Sequence, residues 1–326
     1  MRTLSARVWS NQQRLIMPIA VHPGAPLIGT NVRQLVHDPD LQAAASVALQ
    51  QRLRTEALMS AMDLSAEAEA FGSAIHFSDD EVPTVTEALV SSRSQADALR
   101  IPAPGEQRTR VYIETVTKLR RASPHGIVLG GCIGPFSLTS RLIGMTEALT
   151  MTITDQALVH TLLEKATIFL IEYLRAFKAA GANGVIIAEP GAGLLSPNAL
   201  AQFSSYYMKR LVEAVVNENF DLVLHNCAAK LVHLPAILQS GARVLHFGAP
   251  MDLPAALAKV PANVIVCGNL DPSAVFVQGT AEDVTAKTRA LISATMGSRN
   301  FVPSSGCDVP AAARLENLEA FVAAAA

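Results

Sequence analysis

Residues 222–227 read Leu-Val-Leu-His-Asn-Cys, a short apolar run that breaks into polar residues at its end. Val185–Ala188 has the same form and is followed by Glu189-Pro190. Four more runs repeat it at Ile127–Gly130, Val244–Phe247, Val264–Cys267 and Phe301–Ser304. Long alanine-rich segments with helical spacing separate these runs, and that alternation is the sequence form of βα units built around a parallel sheet. Two further runs, Leu15–Val21 and Ala57–Asp63, each precede a polar or glycine-containing turn and bring the expected strands to eight. Eight strands in 326 residues predict an α/β fold of the closed (β/α)8 TIM barrel kind, a single domain over residues 1–326. No Gly-x-Gly-x-x-Gly opens a helix after a strand, and no Gly-x-x-x-x-Gly-Lys-Ser/Thr occurs, so neither a dinucleotide fingerprint nor a phosphate loop supports an open doubly wound sheet. Phe71–Gly105, with Ser78-Asp79-Asp80-Glu81 and several prolines, reads as an N-terminal excursion over one barrel mouth.

Composition narrows the function classes. Half of the residues are apolar and 17% are charged, which excludes disorder as the global state. The net charge of −2 supplies no basic field to gather a polyanion, so nucleic acid is not an expected partner. Mean hydropathy is +0.29, yet no apolar run reaches the ~18 residues needed to span a bilayer, so no membrane role is expected. The start carries Arg2, Arg7 and Arg14 without an apolar core and cleavage site of the export type, and a cytoplasmic protein is the expectation. Four widely spaced cysteines in such a chain predict free thiols rather than a disulfide framework.

The chemistry-bearing residues sit at strand exits. With period two along a strand, His225 and Cys227 project to the same side. Cys307 follows another short apolar run through Ser304-Ser305-Gly306. In a closed barrel the C-terminal strand ends form a ring at one mouth, so residues remote in sequence can meet there. Two thiolates and one imidazole suit Zn²⁺ with the fourth position open to water, a side chain or substrate. Two other readings compete with an open site. The three residues are unrelated, or Cys267 joins them in a closed Cys3His site of structural type.

His225-Asn226-Cys227, Gly268-Asn269-Leu270-Asp271-Pro272 and Ser304-Ser305-Gly306-Cys307-Asp308-Val309-Pro310 with Glu316-Asn317 resemble the C-terminal signature of the uroporphyrinogen decarboxylase superfamily. The resemblance is strongest to its zinc-dependent corrinoid methyltransferase branch, and Asp63–Gly72, Ala188-Glu189-Pro190 and Leu195-Ser196-Pro197 extend it over most of the chain. It implies a (β/α)8 barrel holding one Zn²⁺ through His225, Cys227 and Cys307, and a methyl group moved between cobalt of a corrinoid and a small thiol such as coenzyme M. The decarboxylase branch begins with an arginine-rich segment, whereas Leu15–Gly24 contains no arginine, so decarboxylation is disfavoured. No Asp-x-His-x-x-Gly cobalt-ligating motif is present, and the resemblance therefore implies a corrinoid carrier protein as partner. Relatives that take methyl ethers, and methionine synthases that use homocysteine, keep a corrinoid-loading demethylase and a homocysteine methyltransferase as alternatives. A barrel with a structural zinc and no activity is a third.

Around the expected ion, Glu189 is either a displaceable fourth ligand or the acceptor of the thiol proton, and otherwise a carboxylate capping the turn before Pro190. Asn269 and Asp271 are expected beside His225 and substrate, with turn formation explaining them nearly as well. His22, at the first strand's exit, is expected to line the substrate pocket. His246 reads as a satisfied interior residue, Cys132 as packing, Asp63 and Glu67 as an i, i+4 helical pair, and Tyr206-Tyr207 as helix packing.

Overall fold

The computed structural model describes residues 3–10 and 13–326. Its strands, in chain order, are β1 (Ala57–Met59), β2 (Ile75–His76), β3 (Thr84–Val85), β4 (Ile127–Ile133), β5 (Gly184–Ala188), β6 (Asp221–Asn226), β7 (Val244–Phe247), β8 (Ile265–Leu270) and β9 (Phe301–Ser305). β1 and β4 to β9 pair in sequence order as one seven-stranded parallel sheet, and β2 with β3 forms a separate antiparallel pair. Residues just beyond β1, β6 and β9 line one shared cavity, so the sheet is curled. β4, β5, β6, β7 and β9 are buried along their whole length, as expected for parallel strands covered on both faces.

The covering layer follows from helical spacing. In the helix Gln156–Ala179, Leu158, Leu162, Ala166, Phe169, Tyr173 and Phe177 recur on one buried stripe, and Asp155 caps its start by accepting from the Leu158 amide at 3.2 Å. Gly130 on β4 makes room for that stripe, since a Cβ there would stand 2.9 Å from the Phe177 ring. Burying each such phenyl ring contributes about 1.5–3 kcal/mol. Among the described residues no helix is long and apolar enough to cross a membrane.

Six expected strands appear within three residues of their expected bounds, and the expected Ala57–Asp63 strand ends early, at Met59. The expectation of eight is corrected to seven paired strands, because Leu15–Val21 is extended and buried but forms no ladder. The Met17 amide donates to the Pro303 carbonyl at 3.1 Å, but the next contacts run through side chains. Ser304 Oγ donates to the Met17 carbonyl at 2.5 Å and the Ile19 amide donates to Ser305 Oγ at 3.0 Å. On the other flank Pro18 has no N–H to offer β1, and a small void lies between Pro18 and Ala20 and the facing Ala57 and Met59.

The 71–105 segment carries the β2–β3 hairpin, whose connection is held to the chain near Val32. The Val32 amide donates to the Asp79 carbonyl at 2.9 Å, and Arg33 pairs with the Asp79 carboxylate at 2.9 Å. Asp80 to Thr84 thereby become one wall of the cavity over the C-terminal strand ends.

Candidate metal centre at the strand ends

His225 is the fifth residue of β6, Cys227 follows the strand end, and Cys307 lies two residues past β9. One ligand atom from each lies within 4.8 Å of the others, with His225 Nε2 3.4 Å from Cys307 Sγ. Tetrahedral zinc, with bonds of about 2.0–2.3 Å to N and S, holds its donors about 3.5–3.8 Å apart, so the three fit one ion after a small contraction. Cys267 is outside this group, fully buried two strands away from His225 in the same register row, and burial pushes its thiol up. Among the described residues the protein therefore offers three ligands, and the closed Cys3His arrangement does not form.

The register places Ala188, His225, His246 and Cys267 side by side on β5 to β8. His225 Nδ1 and His246 Nδ1 are 2.8 Å apart, and His246 Nε2 is 2.8 Å from Ser304 Oγ. Ser304 spends its only proton on the Met17 carbonyl, so it accepts from His246 Nε2–H. Burial, with His225 alongside, holds His246 well below its ordinary pKa, hence neutral, with its lone pair on Nδ1. His225 must then donate from Nδ1, which leaves the Nε2 lone pair directed at the cysteines. This is the tautomer a metal requires. The thiols are matched to it: Cys307 donates to Cys227, which lowers the Cys227 pKa and raises that of Cys307.

The other expected residues are distributed differently. Glu189 is fully buried and turned from the cavity; its carboxylate accepts from the Phe136 amide at 2.9 Å, the Ser137 amide at 3.0 Å and Ser137 Oγ at 2.8 Å. It caps the helix Pro135–Ile143 from outside, because that helix begins with Gly134-Pro135 and has no capping side chain of its own. Burial nonetheless raises Glu189 to about 7. Asn269 donates to the carbonyls of Gly248 (3.1 Å) and Met251 (2.7 Å), and Asp271 caps the turn at Pro272 by accepting from the Ser273 and Ala274 amides. Neither touches His225, whose orienting partner is His246. Asp63 precedes the helix Ala66–Phe71 rather than lying on it; it pairs with Arg108 and accepts from Tyr112 at 2.7 Å, while Glu67 accepts from the Ile133 amide at 3.2 Å. Cys132 is buried within β4, as packing. Of the two tyrosines, Tyr207 is buried against His160 and Tyr206 is exposed.

His22 does line the cavity, buried, with Nδ1 2.9 Å from Asp308 Oδ2 and Nε2 without a partner. Burial opposes its charged form, but Asp308 outweighs that and raises its pKa. The cavity, of about 410 Å³, has the size of a small-molecule site, and its walls include Val32, Met62, Leu64 and Val82 beside His225, Cys227 and Cys307. Arg141 also faces it and was not singled out in the sequence, although it is the one charge in Pro-Phe-Ser-Leu-Thr-Ser-Arg-Leu-Ile, the helix that follows a strand exit. The signal for His246 was the repeated Leu-His at 224–225 and 245–246 on adjacent strands.

Comparison with known proteins agrees with this architecture. The sequence pattern of the family described as Uroporphyrinogen decarboxylase (URO-D) matches residues 12–326. A methylcobamide:CoM methyltransferase MtbA of Methanosarcina acetivorans is 27% identical over 271 residues, covering 82% of this chain and 78% of the relative. A uroporphyrinogen decarboxylase of Psychromonas ingrahamii is also 27% identical, over 277 residues, covering 82% and 77%. The solved structure of a methyltransferase from Methanosarcina mazei superposes with a TM-score of 0.89 at 22% identity, over 99% of this chain and 98% of the other.

Proposed function

The chain belongs to the uroporphyrinogen decarboxylase family, and from that premise we propose that it is a cytoplasmic zinc-dependent methyltransferase moving a methyl group between a corrinoid on a carrier protein and a small thiol such as coenzyme M. Its barrel is read as complete with Leu15–Val21 as the eighth stave. Overall identity does not separate the two kinds of relative, since both stand at 27%. The observation that carries the reading is the donor set itself: His225, Cys227 and Cys307 converge at the cavity with the imidazole in its ligating tautomer. A polycarboxylate would need a basic pocket, and Arg141 is the sole Arg or Lys among the described lining residues.

His225, Cys227 and Cys307 would hold Zn²⁺, which in such a site lowers the pKa of an incoming thiol and keeps it nucleophilic at neutral pH. The chain supplies the setting. His246 and Ser304 fix the His225 ring, so the ligand nitrogen needs no reorientation. Apolar walls from Val32, Met62, Leu64 and Val82 keep water from the reacting sulfur, and the mouth at the strand ends leaves a face for the carrier.

Zinc-loaded protein should transfer methyl from methylcobalamin to 2-mercaptoethanesulfonate, and Cys307→Ala should lower that rate by more than about hundredfold with its circular dichroism unchanged. No transfer by the loaded wild type, or wild-type transfer by Cys307→Ala, overturns the reading.

A further inference from the structure

Three arginines stand at the entrances of neighbouring extended segments. Arg14 immediately precedes Leu15–Val21, Arg54 lies three residues before β1 and Arg299 two residues before β9. Leu15–Val21 runs between those strands, since Met17 bonds to Pro303 of β9 on one side and Pro18 and Ala20 face Ala57 and Met59 of β1 on the other. The three guanidinium groups therefore gather at the N-terminal end of the sheet, opposite the metal ligands. Arg14 is the common wall of two adjoining hollows there. One, of about 140 Å³, has Arg299 and Phe301 on its other side. The second, of about 1050 Å³, carries Arg52, Arg54 and Glu319 beside apolar Ile16, Leu53 and Val322. Glu319 is paired with Arg52 and is the sole acidic side chain among the described residues of either hollow. The lining side chains thus carry an excess of three positive charges in a chain whose net charge is −2. Among the described residues Arg14, Arg54 and Arg299 make no hydrogen bond and no ion pair, although Arg14 is partly buried and lies 5.7 Å from the centre of the Phe301 ring. The dipole of the helix Pro39–Leu53 accounts for a cation at Arg54, but not for Arg14 or Arg299, nor for donors left without acceptors.

We propose that this end of the sheet is a second ligand site, separate from the metal centre, which binds a small organic diphosphate across Arg14. One phosphoryl group lies between Arg14 and Arg299, the next between Arg14 and Arg54, and the organic part covers Ile16, Leu53 and Val322. Guanidinium forks match phosphoryl oxygens two at a time. A single small anion in either hollow would leave one of the outer arginines unserved, whereas two linked phosphoryl groups straddling Arg14 reach all three. At neutral pH such a group carries about three negative charges, the number that the arginines leave unmatched. The smaller hollow admits a terminal phosphoryl group and little more, and the larger is at the upper end of the range for small-molecule sites.

Calorimetric titration of zinc-loaded protein with ADP, pyrophosphate and orthophosphate, at about 0.15 M salt to screen diffuse attraction, tests this. ADP should bind at least about tenfold better than orthophosphate, and better than pyrophosphate, which lacks the part that covers Ile16, Leu53 and Val322. Arg14→Gln should weaken ADP at least about thirtyfold, and the exposed Arg54→Gln and Arg299→Gln each about five- to tenfold. Arg175→Gln, which removes an exposed arginine paired with Glu172 elsewhere on the surface, should leave ADP affinity unchanged. Pyrophosphate binding as tightly as ADP overturns the assignment to an organic diphosphate. Absence of ADP binding by the wild type overturns the site itself. So does undiminished ADP binding in all three arginine variants, which would put the nucleotide on the zinc at the opposite end. The titration involves no methyl transfer, so it stands or falls independently of the methyltransferase reading.

Discussion

The imidazole of His225 can serve as a ligand because its Nδ1–H donates to His246 Nδ1, and His246 passes the constraint through Ser304 to the Met17 carbonyl. Replacing the acceptor should therefore damage metal binding without removing a ligand: His246→Leu is expected to weaken Zn²⁺ affinity about 10–100-fold, measured by chelator competition. Unchanged affinity would mean that the ring orientation does not depend on this chain of hydrogen bonds. His225, Cys227 and Cys307 were legible in the sequence because residue type and period-two spacing at strand ends carry that information. His246 was legible only as an interior histidine, since its partner belongs to the neighbouring strand and register is a property of the folded sheet. Asn269 and Asp271 sit at the right strand exit, but local backbone groups take up their hydrogen-bonding capacity before the metal ligands can.

At the scale of elements, the helix Pro135–Ile143 depends on a carboxylate from after β5 for its capping, and Gly134 makes the approach possible. A Cβ at Gly134 would stand 2.5 Å from Glu189 Cγ. Gly134→Ala should cost about 1–3 kcal/mol in denaturant unfolding, and a neutral result would show that Glu189 can shift without loss. Sequence alone left Glu189 between metal and turn, because the choice depended on whether the next helix brought its own cap. Buried carboxyls also give the fold a pH signature. Burial raises Glu67 to about 8, so the folded state holds a proton that the unfolded chain loses near 4.5. That contribution is present at low pH and is lost as pH rises through the window from about 4.5 to about 8. The melting temperature of Glu67→Gln relative to wild type should thus climb between pH 5 and pH 8; a difference independent of pH contradicts the assignment.

For the whole molecule, a parallel α/β sheet was readable from the alternation of apolar runs and alanine-rich helices, and its seven paired strands bear that out. The count failed at Leu15–Val21 because Pro18 removes a donor and Ser304 and Ser305 intercept the ladder with their side chains, features that a strand pattern does not weigh. What the sheet accomplishes is convergence: residues after β1, β6 and β9 share one cavity, and the three soft ligands meet in it. Zinc K-edge X-ray absorption on stoichiometrically loaded protein tests that convergence most directly. The account predicts two sulfur ligands and at least one nitrogen, with a third sulfur joining when 2-mercaptoethanesulfonate is added. Failure to take up the metal, or three protein sulfurs that no added thiol alters, would contradict it.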